Sequence, residues 1–156
     1  QAEVVYAGFA RLCAAYSWVT MEGSGGILCP IRLEEPPIWL PDLVQGLGLH
    51  YRLSKLAAGD CSFSMARTYD IEVWIPSMGI YKEVSSASNA RDYQARRGNM
   101  KYRGEDGKLH FVNTLNASGL ATSRVMPAIV EQYQNADGSI TVPEVLRPYM
   151  GIDVIR

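Results

Sequence analysis

The stretch Thr68-Tyr69-Asp70-Ile71-Glu72-Val73-Trp74-Ile75, followed by Pro76-Ser77-Met78-Gly79 and then Ile80-Tyr81-Lys82-Glu83-Val84-Ser85, decides the fold. Tyr69, Ile71, Val73 and Ile75 alternate with Asp70 and Glu72, which is the period of a strand with one apolar and one polar face. The Pro and Gly of 76–79 mark a turn, and a second strand returns over Ile80 to Ser85, so the segment predicts an antiparallel hairpin. If Ile75 and Ile80 close that turn, Glu72 stands opposite Glu83 and Asp70 opposite Ser85. Like charges directly opposite on a ladder are destabilising. The pair therefore reads either as a site for a cation or a substrate ammonium, or as a solvated face with its register slipped by one.

Downstream, Asn89 to Arg97 reads as a short helix. A second hairpin follows, from Met100 to Arg103, through a turn at Gly104-Glu105-Asp106-Gly107, to Leu109 to Leu115. Arg91, Arg96, Arg97, Lys101 and Arg103 cluster there, either to contact phosphates or as a solvated face with internal salt bridges. Asn116-Ala117-Ser118-Gly119 leads into a helix whose apolar Val125, Met126, Ile129, Val130 and Tyr133 follow the helical period, with Asp137-Gly138 as its end. Pro127 is tolerated near a helix start, which puts Arg124 in the first turn. A cation there opposes the helix macrodipole unless it shares an anion with the free N–H groups. Arg124 thus marks a phosphate site, or else simply points to solvent or pairs with Glu72 or Glu83.

Upstream the composition changes. Residues 1–44 hold 2 basic against 5 acidic side chains and no lysine, whereas the remainder holds 13 against 11. Gly23-Ser24-Gly25-Gly26 and Pro30, Pro36, Pro37 and Pro41 have loop composition, and the apolar Val4 to Trp18 fits a short buried helix or a strand equally well. The whole chain has 156 residues, 47% of them hydrophobic and 20% charged, enough for a real core. With 15 Lys plus Arg against 16 Asp plus Glu, it has no global field to draw it to nucleic acid or anionic lipid. No long apolar run predicts a membrane span, and the first residues lack a signal-peptide pattern. Cys13, Cys29 and Cys61, odd in number and without a CxxC pair, argue against a disulfide framework or a structural zinc site. These features predict a soluble protein of the cytoplasm.

Read together, the segments resemble the C-terminal half of the catalytic domain of seryl-tRNA synthetases, which are class II aminoacyl-tRNA synthetases. The resemblance runs through Leu47-Gly48-Leu49-His50-Tyr51-Arg52, Ala58-Gly59-Asp60, Thr68 to Pro76, and Tyr81-Lys82-Glu83-Val84-Ser85-Ser86-Ala87-Ser88-Asn89. It continues at Asp92-Tyr93-Gln94-Ala95-Arg96-Arg97, at Thr114-Leu115-Asn116-Ala117-Ser118-Gly119-Leu120-Ala121 and at Val142 to Met150, about 110 residues in the family's order. It implies an α+β fold, a class II antiparallel sheet flanked by helices, present incompletely. It also implies the family's ligase reaction: activation of L-serine with ATP and Mg²⁺ to seryl-adenylate, then transfer to tRNA(Ser), by a homodimer with no membrane partner.

By position, the resemblance makes Glu83, Val84, Ser85 and Ser86 the ATP-binding segment, with Glu83 and Ser86 as Mg²⁺ ligands. Arg124 matches the third-motif arginine that contacts the nucleotide, so Glu83 and Arg124 become the catalytic pair. Ser118 matches the position that recognises the substrate hydroxyl, and Asn116 the asparagine that shapes its pocket. Hard oxygen donors suit Mg²⁺, which keeps water and phosphates as its other ligands. A buried hydrogen-bond partner for the hydroxyl separates serine from alanine by about 1 to 3 kcal/mol.

The chain departs from the family pattern in residues 1–44, where the first two class II motifs are not recognisable. Met21-Glu22-Gly23-Ser24-Gly25-Gly26 is a faint echo of the second motif's loop, and the tRNA-gripping helical arm is missing. Ala87 and Asn113 replace a common cysteine and histidine. The expected organisation is an unassigned segment over 1–44 and the C-terminal half of the catalytic domain over 45–156. A non-catalytic remnant or paralogue acting as a nucleotide-binding or interaction module is the alternative. The related ligases that load carrier proteins bind zinc through cysteine, and no cysteine here has an evident co-ligand.

Overall fold

The computed structural model describes residues 21–22 and 39–156. Val4 to Trp18, Cys13, Cys29, Gly23 to Gly26 and the prolines at 30, 36 and 37 lie outside the described residues. The hairpin forms as expected. Strand β3 (Arg67–Ile75) and strand β4 (Ile80–Arg91) pair antiparallel with Ile75 opposite Ile80 and Glu72 opposite Glu83. They are the centre of a five-stranded sheet, with β2 (Tyr51–Lys55) beside β3 and β7 (Asn113–Ala117) beside β4. A two-residue β1 (Met21–Glu22) pairs outside β7.

The apolar positions of β3 do what their alternation predicts. Ile71, Val73 and Ile75 face a core shared with Val84 and Ala87 of β4. Helix α1 (Trp39–Gly46) adds Leu43 and Val44, and helix α3 (Thr122–Gln132) adds Val125, Ala128 and Ile129. Leu47, Ile71, Val44, Val73, Val84 and Val125 are among the largest fully buried side chains. Each such burial is worth about 1.5 to 3 kcal/mol, so one face of the sheet is held rigidly against two helices. The other face is left for polar residues.

A β-bulge corrects the expected register. Glu72 pairs with Glu83 but Ile71 pairs with Ser85, so Val84 is an extra residue on β4. Asp70 therefore stands opposite Ser86, not Ser85. The bulge exists because Val84 and Ser85 both turn inward: Val84 is wholly buried, and the Ser85 hydroxyl donates to the carbonyl of Ser118 at 2.6 Å.

Other boundaries also move. Strand β4 continues through Asn89 to Arg91, because Arg67 and Leu115 pair with Asn89 from either side, and only Tyr93–Gly98 is helical (α2). The Leu109 to Leu115 strand divides at the buried Val112. Strand β6 (Leu109–Phe111) pairs with β5 (Lys101–Arg103) in a separate ribbon, while β7 joins the main sheet. Asn116 and Ala117 belong to β7 and not to a helix approach.

Helix α3 ends at Gln132, before Asp137-Gly138. Its last residues are held sideways: the Gln132 amide donates to the carbonyl of Trp74 at 2.8 Å and the Tyr133 hydroxyl to the carbonyl of Leu47 at 2.7 Å. Pro127 lies inside α3, where its missing N–H removes one intrahelical bond, yet Arg124 does fall in the first turn. Pro41, read as loop, sits in the first turn of α1, where a proline costs little. Short strands β8 (Ile140–Thr141) and β9 (Val154–Ile155) pair around the single-turn helix α4 (Arg147–Met150).

Candidate functional site

Residues directly opposite on an antiparallel ladder share a face, so the strand pairings define rows across the polar side of the sheet. One row runs Arg52, Glu72, Glu83. The next runs Ser54, Asp70, Ser86, and the third Thr68, Ser88, Asn116. Ser118, one residue past β7, extends the middle row: its N–H donates to the carbonyl of Ser86 at 3.2 Å, and its hydroxyl receives the N–H of Ser86 at 3.5 Å.

The bulge matters here for parity. Glu83 and Ser86 are three residues apart, so an unbroken strand would send them to opposite faces. The extra residue, Val84, returns Ser86 to the face of Glu83. The four residues expected to bind nucleotide thus divide: Glu83 and Ser86 on the polar face, Val84 and Ser85 in the core.

The charge order across the first row is plus, minus, minus, plus. Arg52 Nε lies 2.5 Å from Glu72 Oε2, and the Arg52 guanidinium rests over the Tyr81 ring at 4.4 Å. On the other side Arg124 Nη1 is 3.5 Å from Glu83 Oε1 and donates to the Glu83 carbonyl at 3.1 Å. Each carboxylate of the facing pair has its own arginine, which is how the ladder tolerates them. Arg124 does pair with Glu83, and it does so from the start of α3, held by the Ala121 N–H bond to the carbonyl of Val84 at 2.6 Å.

The sequence-predicted residues Glu83, Ser86, Ser118, Asn116 and Arg124 therefore lie on one face or at its border. Ser118, Asn116 and Arg124 are exposed and Glu83 and Ser86 half-buried. Arg52 and Tyr81 join this face without any local signal in the sequence. Only the pairing of β2 with β3 across an intervening loop brings Arg52 to Glu72, and no local pattern encodes that. The basic cluster resolves as a solvated face. Arg96 pairs with Asp92 at 2.7 Å and holds that carboxyl below its ordinary range, Arg103 donates to the Gly107 carbonyl, and Arg96 and Lys101 lie over the Phe111 ring.

The donor set fits Mg²⁺. Among the described residues no three His, Cys, Asp or Glu side chains are grouped to hold a metal, which disfavours an all-protein cage. Mg²⁺ needs only one or two hard oxygen ligands beside phosphates and water, and Glu83 and Ser86 are hard oxygen donors on one face.

An antiparallel sheet backed on one face by two helices, one of them opened by a basic residue, is the architecture of the described chain. The chain belongs to the tRNA synthetase class II core domain family (G, H, P, S and T), whose model matches residues 39–133. Among curated relatives it is 76% identical over 112 residues to serine--tRNA ligase 2 of Clostridium acetobutylicum, covering 71% of this chain and 26% of that one. It is 61% identical over 114 residues to the serine--tRNA ligase of Fervidobacterium nodosum, covering 73% and 27%. The structure resembles that of seryl-tRNA synthetase from Pyrococcus horikoshii complexed with ATP, with a TM-score of 0.70 and 43% identity over 74% of this chain and 26% of that one. The chain thus spans about a quarter of the length of the relatives it matches. Among the described residues no helix is long and apolar enough to cross a membrane.

Proposed function

We propose that the chain is part of a serine--tRNA ligase catalytic domain that binds ATP and L-serine for seryl-adenylate formation, with tRNA(Ser) as the acceptor. The observation that carries this is the convergence of Glu83, Ser86 and Ser118 on one face, made possible by the bulge at Val84, with Arg124 at its border. Homodimerisation and a cytoplasmic setting follow from the same family reading.

The chemistry asks little of side-chain nucleophiles. The serine carboxylate attacks the α-phosphorus, the bond to the pyrophosphate oxygen breaks, and pyrophosphate leaves with its electron pair. The protein's work is positioning and charge compensation. The Glu83–Arg124 pair is half-exposed and open at 3.5 Å, so both partners can turn to a ligand. Arg124, at the positive end of an eleven-residue helix, then meets nucleotide phosphate. Glu83 and Ser86 would hold Mg²⁺, which neutralises phosphate charge when bound. The Ser118 hydroxyl, moored between β4 and β7, supplies the hydrogen bond that distinguishes serine from alanine, with Asn116 beside it.

Titrating a non-hydrolysable seryl-adenylate analogue against its alanyl counterpart tests the reading. The seryl form is expected to bind about 10- to 100-fold more tightly, the value of one hydroxyl hydrogen bond that the bound analogue covers from water. Equal affinity for the two, or no binding of either, overturns it.

A further inference from the structure

Asp70 is only 8% exposed, yet its carboxylate accepts no hydrogen bond and meets no cation among the described residues. Its neighbours on the same strand are all engaged: Thr68 shares a hydrogen bond with Ser88 at 2.8 Å, and Glu72 has Arg52. A carboxylate this largely covered and without a partner among the described residues is held at a cost, even though solvent still reaches its oxygens. Such a group is placed to receive donors that accompany a cation in the working state.

Position decides what that is. Asp70 is the direct cross-strand partner of Ser86, on the same face, with Ser54 on its other side. Along β3 it is two residues from Glu72, whose partner is Glu83. Asp70 therefore adjoins both residues proposed to hold the metal. The serine-side residues Ser118 and Asn116 lie beyond β4, two strand spacings or about 10 Å away, which places Asp70 with the metal and not with the amino-acid substrate. We infer that Asp70 is a positioning residue for the metal–nucleotide complex, its carboxylate accepting hydrogen bonds from the metal's hydration shell behind Ser86. The inference rests on the nucleotide-site reading above. Carboxylates in this outer position orient the inner ligands, and their loss typically weakens metal binding about 10- to 100-fold.

The test uses the 156-residue chain with ATP, and Mn²⁺ as a paramagnetic replacement for Mg²⁺, with free Mn²⁺ read by its resonance signal. Asp70→Asn is expected to raise the Mn²⁺ half-saturation by about 10- to 100-fold. ATP affinity without metal should stay within about twofold, and the melting temperature should hold or rise, because a buried unpaired charge is gone. Asp70→Ser carries the same expectation should the amide pack badly. A merely structural role would lower the melting temperature and weaken ATP equally with and without metal, which overturns the inference. So does an unchanged Mn²⁺ half-saturation, which leaves the nucleotide site itself standing. If the unsubstituted chain binds no ATP, both the inference and the reading beneath it fall.

Discussion

Arg124 shows how one residue can satisfy two readings. In the ligand-free site it compensates Glu83, and its place in the first turn of α3 leaves it able to leave that partner for a phosphate. With both side chains nearly half exposed, the pair is worth little to stability, at most about 1 kcal/mol. Arg124→Ala should therefore barely move the unfolding midpoint in denaturant. Its effect on serine-dependent ATP–pyrophosphate exchange, in a protein that contains the whole domain, should be a loss of about 100-fold or more. A large stability loss with little kinetic effect would make Arg124 structural. The sequence exposed this residue because a cation at a helix start is anomalous. It did not expose Asp70, because aspartate on the polar side of an alternating strand is ordinary until its burial and missing partners are known.

At the scale of elements, the site depends on how the hairpin is clamped from behind. The C-terminal end of α3 is tied to the turn between α1 and β2, where Gly48 has a φ of +66° and the Tyr133 hydroxyl binds the Leu47 carbonyl. A β-carbon on Gly48 would collide with the Tyr133 hydroxyl, besides forcing a side chain into the left-handed region. Gly48→Ala is expected to cost about 2 to 4 kcal/mol in equilibrium denaturation, combining backbone strain with the lost hydrogen bond. Tyr133→Phe, which removes the bond alone, should cost only about 1 kcal/mol.

The turn after α3 is held differently. Asp137 accepts the Ser139 N–H at 3.0 Å and the Ser139 hydroxyl at 2.5 Å, which lowers its carboxyl below the ordinary 3.8. A depressed folded value stabilises above the unfolded one and is lost as pH falls through the folded one. Asp137→Ala should thus lower the melting temperature at pH 7 and equally at pH 5, with the difference closing only as the pH drops below 3.8.

For the molecule as a whole, the described sheet is one working face backed by one core, and ligand binding should register as stability of that unit. At about 100 times its dissociation constant, a seryl-adenylate analogue should add about 2.7 kcal/mol, a rise of roughly 5 to 11 °C in melting temperature for a chain of this size. AMP alone at the same concentration should shift it less, because it makes no contact with Ser118. Absence of any shift with the seryl compound would mean that the nucleotide and serine halves of the face do not act together in this chain, which spans about a quarter of its relatives.

The sequence by itself determined the hairpin, the apolar face of β3, the placement of Arg124 and the family, because these rest on local periodicity, turn residues and ordered motifs. Tertiary structure decided what local pattern does not encode. Strand β4 runs on to Arg91 because two neighbours pair with it, and Arg52 reaches Glu72 only through a long-range ladder. The most consequential decision was the bulge. Counting residues places Glu83 and Ser86 on opposite faces, and only the burial of Val84 in the core that α1 and α3 help to form, worth more than the ladder bond it disrupts, brings the two to the same side.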